Sequence, residues 1–344
     1  MENFKNTGRL VDKFFKRGNE FLGTKIPYLC GAMTWVSDPR LVASVCEAGG
    51  FASIAAGNAP VEILREQILE TRKLTDKPFG MNLITIAPMY QEHLKLVSEM
   101  NMPYVIFAGS FPREGEVAQI KASGAKVMCF ASTLSIAQRM VRYGADAIIL
   151  EGMEAGGHVG HVSLIVLLQQ VLFKLKSVPV FVAGGVATGE MCAHLLLMGA
   201  AGVQMGTVFV TAEECCAHDN FKKAFIRAKA RDAVSTPQFD SRLPVVAVRA
   251  LKNRAMDSFG QLQLDLVKGI NSGEIGRNEA QIKVEEYWMG ALRKAVIDGD
   301  VTSGSMMSGQ SVGLVKDVKP VAQILEDLVN DTEAALQAAR EKLK

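Results

Sequence analysis

The sequence is short of several signals that would settle its class at once. Its 38 basic and 36 acidic residues leave a net charge of only +2. The two signs are interspersed, so neither a nucleic-acid stripe nor a polybasic membrane patch is present. No apolar run approaches the roughly 18 residues of a membrane span. The opening MENFKNTGRLVDKFFKRGNEF lacks the long apolar centre of a signal peptide, and a cytoplasmic protein is expected. Cysteines 30, 46, 129, 192, 215 and 216 form no CxxC pair. That argues against a disulfide framework and for reduced, mostly buried thiols. There is no GxxxxGK[ST] string, no GxGxxG after a strand, and no HExxH or His/Cys cluster. These absences speak against a nucleoside triphosphate site, a separate dinucleotide domain and a catalytic metal. No second carboxylate motif supports glycosidase-like chemistry.

What is present is apolar material in a regular cadence. Of 344 residues, 49% are hydrophobic, enough for a large core. From residue 25 to 210, short β-rich runs alternate with amphipathic stretches of helical period. The candidate strands are IPYLCG (26–31), FASIAA (51–56), FGMNLI (79–84), YVIFAG (104–109), KVMCFA (126–131), AIILEG (147–152), PVFVAGG (179–185) and VQMGTVFV (203–210). Nearly continuous apolar strands separated by helices imply a parallel sheet covered on both faces. Eight of them favour a closed (β/α)8 (TIM) barrel over an open sheet. Residues 1–24, with Phe4, Leu10, Val11, Phe14 and Phe15, read as a short helical extension packed on the body. Residues 211–310 read as a smaller, mostly helical cap inserted after the eighth strand, with FKKAFIRAKA, VVAVRALKNRAMDSF, LQLDLVKGI and EEYWMGALRKAVIDG as its helical segments. A closing amphipathic helix over 318–341 returns the chain to the barrel, which therefore spans 25–210 and 311–344.

In such a barrel the working residues lie at the C-terminal ends of the strands. Gly184 and Gly185 follow the seventh strand, and Gly206 and Thr207 lie at the eighth. That is where barrels hold a phosphate with loop N–H groups. EGMEAGGHVG (151–160) follows the sixth strand and puts His158 just past a glycine pair. An imidazole titrates near neutral pH and suits proton transfer. Glu151 and Glu154 either orient this loop, contact a cofactor or face solvent. His161 is a weaker candidate, and His93, His194 and His218 read as structural. Met33, Met153, Met205, Met306 and Met307 either line a flat apolar cofactor or fill the core.

These strings together resemble the FMN-dependent nitronate monooxygenase family, formerly the 2-nitropropane dioxygenases, over about residues 25–330. EGMEAGGH, TDKPFGMN, AGGFASIAAGNAP, VFVAGGVATGE, VQMGTVFV, VRALKN and GSMMSGQSVGLV carry the resemblance. EGMEAGGH with GNAP leans toward the enoyl-acyl-carrier-protein reductase II branch. The resemblance implies FMN as cofactor and His158 as the catalytic acid or base. It implies a flavin lining made by Ala32, Met33, Asn82, Glu151, Gly157, Gly184, Gly185, Gln204, Gly206, Thr207, Ser308, Gly309 and Gln310. The expected activity is reduction of a 2-enoyl thioester by NADH or NADPH, with acyl carrier protein as a possible carrier. The alternatives are oxidation of alkyl nitronates with O2 and NAD(P)H:quinone reduction. A non-catalytic phosphate-binding barrel would keep the glycines but give His158 no task. A homodimer and a monovalent-cation response are further implications. The first strand departs from relatives, ending LCGAM where QGGM is common, so Cys30 and Ala32 alter the flavin edge.

Overall fold

The computed structural model describes residues 9–243 and 245–344; Phe4 lies outside them. Eight parallel strands close into a barrel: β1 (Tyr28–Cys30), β2 (Phe51–Ala55), β3 (Gly80–Ile84), β4 (Tyr104–Ala108), β5 (Lys126–Ala131), β6 (Ala147–Glu151), β8 (Val180–Ala183) and β9 (Gly202–Met205). The label β7 belongs to a two-residue strand, Gly157–His158, outside the barrel. Helix α1 (Leu10–Leu22) precedes β1. The covering helices are α2 (Pro39–Glu47), α3 (Val61–Leu74), α4 (Tyr90–Glu99), α5 (Glu114–Ala122), α6 (Leu134–Arg142), α7 (Leu164–Leu167), α8 (Gly189–Leu197) and, after a long insertion, α13 (Val321–Glu341). All eight expected strands form, with ends trimmed by up to two residues except at the last.

That last strand stops at Met205. Residues expected to continue it instead form α9 (Thr207–Val210), a single helical turn. The β-branched TVFV string suits a strand by propensity, yet Phe209 and Val210 are buried in the helical shell of the core. Burial outweighs β-propensity there. The helix expected after His158 is also broken, since α7 gives way to a π-helical turn at Leu168–Leu172.

The insertion holds α10 (Asp219–Arg227), β10 (Ala233–Ser235), β11 (Val248–Leu251), α11 (Arg254–Ser272) and α12 (Arg277–Val296). It is less helical than expected, because VVAVRAL contributes β11 rather than a helix. The sheet order β10-β11-β7 explains this: β11 pairs antiparallel with both neighbours. A strand between two partners satisfies N–H and C=O groups on both edges. Val248 faces a separate cap core with Phe259, Leu266, Val284 and Trp288.

Inside the barrel, side chains at alternate positions share the axis. Phe51, Tyr104, Ile106, Met128, Ile149 and Phe181 fill its lower part. Helix α1 is more than an extension, because it closes the bottom. Leu22 is fully buried in the same cluster, with Phe21 packed against it. The Tyr104 hydroxyl donates to the Phe21 carbonyl at 2.8 Å, and the Lys126 ammonium donates to the same oxygen. Those donors satisfy a carbonyl in the last turn of α1 that has no partner within the helix. At its other end, the Glu333 carboxylate of α13 accepts from the Leu10 and Val11 amides at 3.1 and 2.9 Å.

Leu22→Ala would leave a cavity at the base of the barrel. It is expected to cost about 2–5 kcal/mol, read as a lowered urea midpoint at an unchanged slope. A loss below about 1 kcal/mol would mean that α1 is not a structural plug.

Candidate functional site

At the C-terminal mouth the inward side chains become small. The positions that follow the large residues upward are Gly31, Ala55, Ala108 and Ala183, and all four border a cavity of about 360 Å³. Three polar side chains enter at the same level: Asn82 from β3, Glu151 from β6 and Gln204 from β9. Register places Ala55 beside Asn82, Glu151 beside Ala183, and Ala183 beside Gln204. A flat polar molecule could therefore lie on the barrel axis with donors and acceptors at its edge. The volume falls within the roughly 300–1,000 Å³ of small-molecule sites.

The rim is built from glycine. Gly184 has φ 95°, and a Cβ there would lie 2.8 Å from the Gly152 carbonyl oxygen. A side chain is excluded by both conformation and space. At Gly156 a Cβ would meet the Gly309 nitrogen at 2.5 Å. This close approach brings the loop after β6 against the 308–310 turn. The Gly309 amide donates to Thr207 Oγ1 at 3.1 Å, tying that turn to the loop after β9.

Of the residues singled out from sequence, Ala32, Met33, Asn82, Glu151, Gly157, His158, Gly184, Gly185, Gln204, Gly206, Thr207, Ser308 and Gly309 line this one cavity. Gln310 does not. Its amide donates to the Glu154 carbonyl at 2.9 Å as the 3-10 turn Gln310–Leu314 begins. That turn carries its side chain to a second, shallower hollow with Lys229 and Leu314. Met33, Met205 and Met307 reach the main cavity, whereas Met153 and Met306 are not part of its lining. Glu154 orients the loop: both carboxylate oxygens accept from the Leu164 amide, at 3.2 and 3.0 Å. His161 is exposed. His93 bonds the Ala59 carbonyl at 2.8 Å, His194 the Glu190 carbonyl at 2.6 Å, and His218 caps α10. All six cysteines are free thiols, and only Cys216 is exposed.

His158 is held by its backbone. It pairs with Val248 across β7 and β11, and the next amide, Val159, donates to Ala247 at 2.9 Å. The adjacent Arg249 is buried and spans the junction. Its Nε donates to the Met153 carbonyl at 3.0 Å and its Nη1 to the Ala233 carbonyl at 2.7 Å. The ring of His158 borders the cavity, and its Nε2 is buried without a hydrogen-bond partner. A glycine-walled cavity with a polar edge and an imidazole at its border is what a site shaped for a ligand would show. Sequence reasoning missed Arg249 and the cap residues Val246, Leu292 and Val296, which form an apolar wall. Arg249 had one signal, the VRALKN string at 248–253; nothing local marked Val246 or α12 as a wall of the site.

Burial pushes the Glu151 carboxyl from 4.5 up to about 8, because desolvation disfavours the charged form. The folded, ligand-free protein thus holds this proton more tightly than the unfolded chain. Its stability should fall as pH rises from about 4.5 to about 8 and level off above that. Glu151→Gln, which cannot ionise, should lack that part of the decline. Identical slopes for both proteins in urea unfolding across this window would exclude a protonated Glu151.

Comparison with known proteins gives a consistent kinship. The sequence profile of the nitronate monooxygenase family matches residues 16–93 and 84–331. The chain is 29% identical to the (3aS,4S,5R,7aS)-5-hydroxy-7a-methyl-1-oxo-octahydro-1H-indene-4-carboxyl-CoA dehydrogenase of Mycobacterium tuberculosis, over 93% of this chain and 96% of that one. It superimposes on FabK from Thermotoga maritima with a TM-score of 0.84 and 35% identity, covering 95% of this chain and 98% of the other. For nitroalkane oxidase from Streptomyces ansochromogenes the TM-score is 0.77 and the identity 25%, covering 92% and 98%. With a barrel, a glycine-walled mouth and a profile match over most of its length, the chain belongs to the nitronate monooxygenase family and is a flavin-dependent oxidoreductase.

Proposed function

We propose that this protein binds FMN at the barrel mouth and reduces a 2-enoyl thioester at the expense of NADH or NADPH. The observation that carries the choice of substrate is the apolar wall of the cavity. Val36, Val210, Phe221, Leu292 and Val296 border it alongside the polar edge. A small nitronate has no use for such a wall, whereas an acyl chain gains about 0.8 kcal/mol per buried methylene. The EGMEAGGH and GNAP strings, the higher identity to FabK than to nitroalkane oxidase, and a relative named for a CoA thioester support the same reading.

The residues fit FMN. Gly184, Gly185, Gly206 and Thr207 follow the seventh and eighth barrel strands, where backbone amides of such barrels hold a phosphate. Asn82, Glu151 and Gln204 supply the polar edge for the ring system, and the small inward residues leave it room. When bound, FMN would supply the redox chemistry, relaying a hydride between the nicotinamide and the β-carbon of the enoyl thioester. The chain's own part is positional and protic. The cap and the mouth exclude water, the apolar wall orients the acyl group, and His158 gives a proton to the α-carbon. That proton is replaced from solvent, so one hydride and one proton saturate the double bond.

A second reading, oxidation of an alkyl nitronate with O2, is favoured by the family profile and the nitroalkane oxidase match. In that reaction His158 would act as base or stabilise the substrate anion.

Anaerobic stopped-flow absorbance separates the two. Bleaching of the yellow protein by NADH or NADPH, reversed by a 2-enoyl thioester, is expected. Reduction by an alkyl nitronate but by neither nucleotide would establish the second reading instead. His158→Ala should keep its FMN yet turn over at least ~10-fold more slowly, since a positioned acid supplies about 10²–10⁴. Gly184→Ala should lose FMN, read as flavin absorbance per chain after gel filtration.

A further inference from the structure

The cap does more than wall the cavity, because one of its carboxylates reaches the histidine. Glu285 lies on α12, and its Oε1 is 3.6 Å from His158 Nε2. Both side chains are only about one-quarter exposed, at 26% for His158 and 24% for Glu285. On α12, residues 285, 292 and 296 are spaced seven and four apart, so they share one face. Leu292 and Val296 border the cavity. The same helix face therefore presents an apolar wall at one end and a carboxylate at the other.

We infer that Glu285 is the positioning residue for His158: it holds a proton on Nε2, so that Nδ1 is the nitrogen that serves the substrate. The inference rests on His158 being the proton donor proposed above. Nε2 is buried and has no hydrogen-bond partner, so the carboxylate 3.6 Å away is its natural acceptor, reached by a small side-chain adjustment. A proton held there fixes the tautomer, as a carboxylate behind an imidazole does elsewhere. It also supports the imidazolium that must exist before Nδ1 can give its proton away. Afterwards the proton on Nε2 stays beside Glu285, and solvent reprotonates Nδ1.

The surrounding charges leave this task to Glu285. On the loop of His158, Glu154 is committed to the Leu164 amide and His161 is exposed. On β11, the Arg249 guanidinium is held by two carbonyls. From β6, Glu151 lines the same cavity, but burial disfavours its charged form. Among the described residues, Glu285 is the carboxylate within 4.0 Å of the ring. It is also held firmly, since Val284 and Trp288 on either side of it are buried in the cap core that receives Val248, the partner of His158.

The test compares full-length holoenzyme carrying Glu285→Gln, Glu285→Asp or His158→Gln. FMN per chain, KM for NADPH and for a 2-enoyl thioester, and kcat are measured across the pH range. Glu285→Gln should keep its FMN and its KM for NADPH and lose about tenfold or more in kcat, the low end of what a positioned acid–base group supplies. The pH limb of kcat that vanishes in His158→Gln should differ between Glu285→Gln and the wild type, a change that a merely structural role would not produce. Glu285→Asp should recover part of the rate. A wild-type kcat and pH limb in Glu285→Gln, with His158→Gln slow, would overturn the role of Glu285 and leave the proposed function standing. Lost FMN with unchanged kcat per bound FMN would also overturn it, reducing Glu285 to a structural part of the cap. Wild-type kcat in His158→Gln would remove the histidine from the reaction and Glu285 with it.

Discussion

Closing eight parallel strands leaves no free edge, and it sends every second side chain onto one narrow axis. Volume must then be distributed along that axis. In this chain it is concentrated at the bottom, where Phe51, Tyr104, Ile106, Met128, Ile149 and Phe181 meet Leu22 of the N-terminal helix. It is withdrawn at the top, where Gly31, Ala55, Ala108 and Ala183 stand. The gradient makes the lower barrel a packed core and the mouth a cavity. It also explains why Asn82, Glu151 and Gln204 can project inward at all, since the space they enter is not filled by apolar neighbours. For Glu151 the cost of that position appears as a carboxyl whose pKa burial pushes up to about 8.

The second constraint is the pairing of β7 with β11. Two residues, Gly157 and His158, join a loop of the barrel to a strand of the insertion. Arg249 reinforces the joint by donating to carbonyls on both sides of it. The histidine therefore has its backbone in the cap sheet and its ring at the barrel mouth. The position of the ring thus depends on how the insertion is seated, and Glu285 of the insertion lies 3.6 Å from it.

Much of the fold was legible because barrel strands and helices have different periods. Runs such as YVIFA and AIILE, buried on both faces, could be nothing but interior parallel strands in this context. Gly184 was legible because a side chain there collides with the Gly152 backbone, and Gly185 because its φ of 75° favours glycine. Where reading failed, local preference and tertiary context disagreed. TVFV has the composition of a strand and forms a helical turn, because Gly206 turns the chain and Phe209 finds its place among helices. VVAVRAL was read as part of a helix, yet it becomes a strand because Gly157 and His158 offer it an edge some ninety positions earlier in the chain.

The sequence by itself determined the barrel, the strand ends that border the cavity, the histidine loop and the family. Each rests on a short-range pattern: a period, a glycine that admits no side chain, or a contiguous string. Tertiary structure alone decided that the first helix plugs the barrel and that Gln310 turns away from the site. It alone decided that α12 brings Leu292 and Val296 to the cavity and Glu285 to His158. Those outcomes depend on contacts between residues 80 to more than 300 positions apart, and no local pattern encodes which distant surface a helix face will meet.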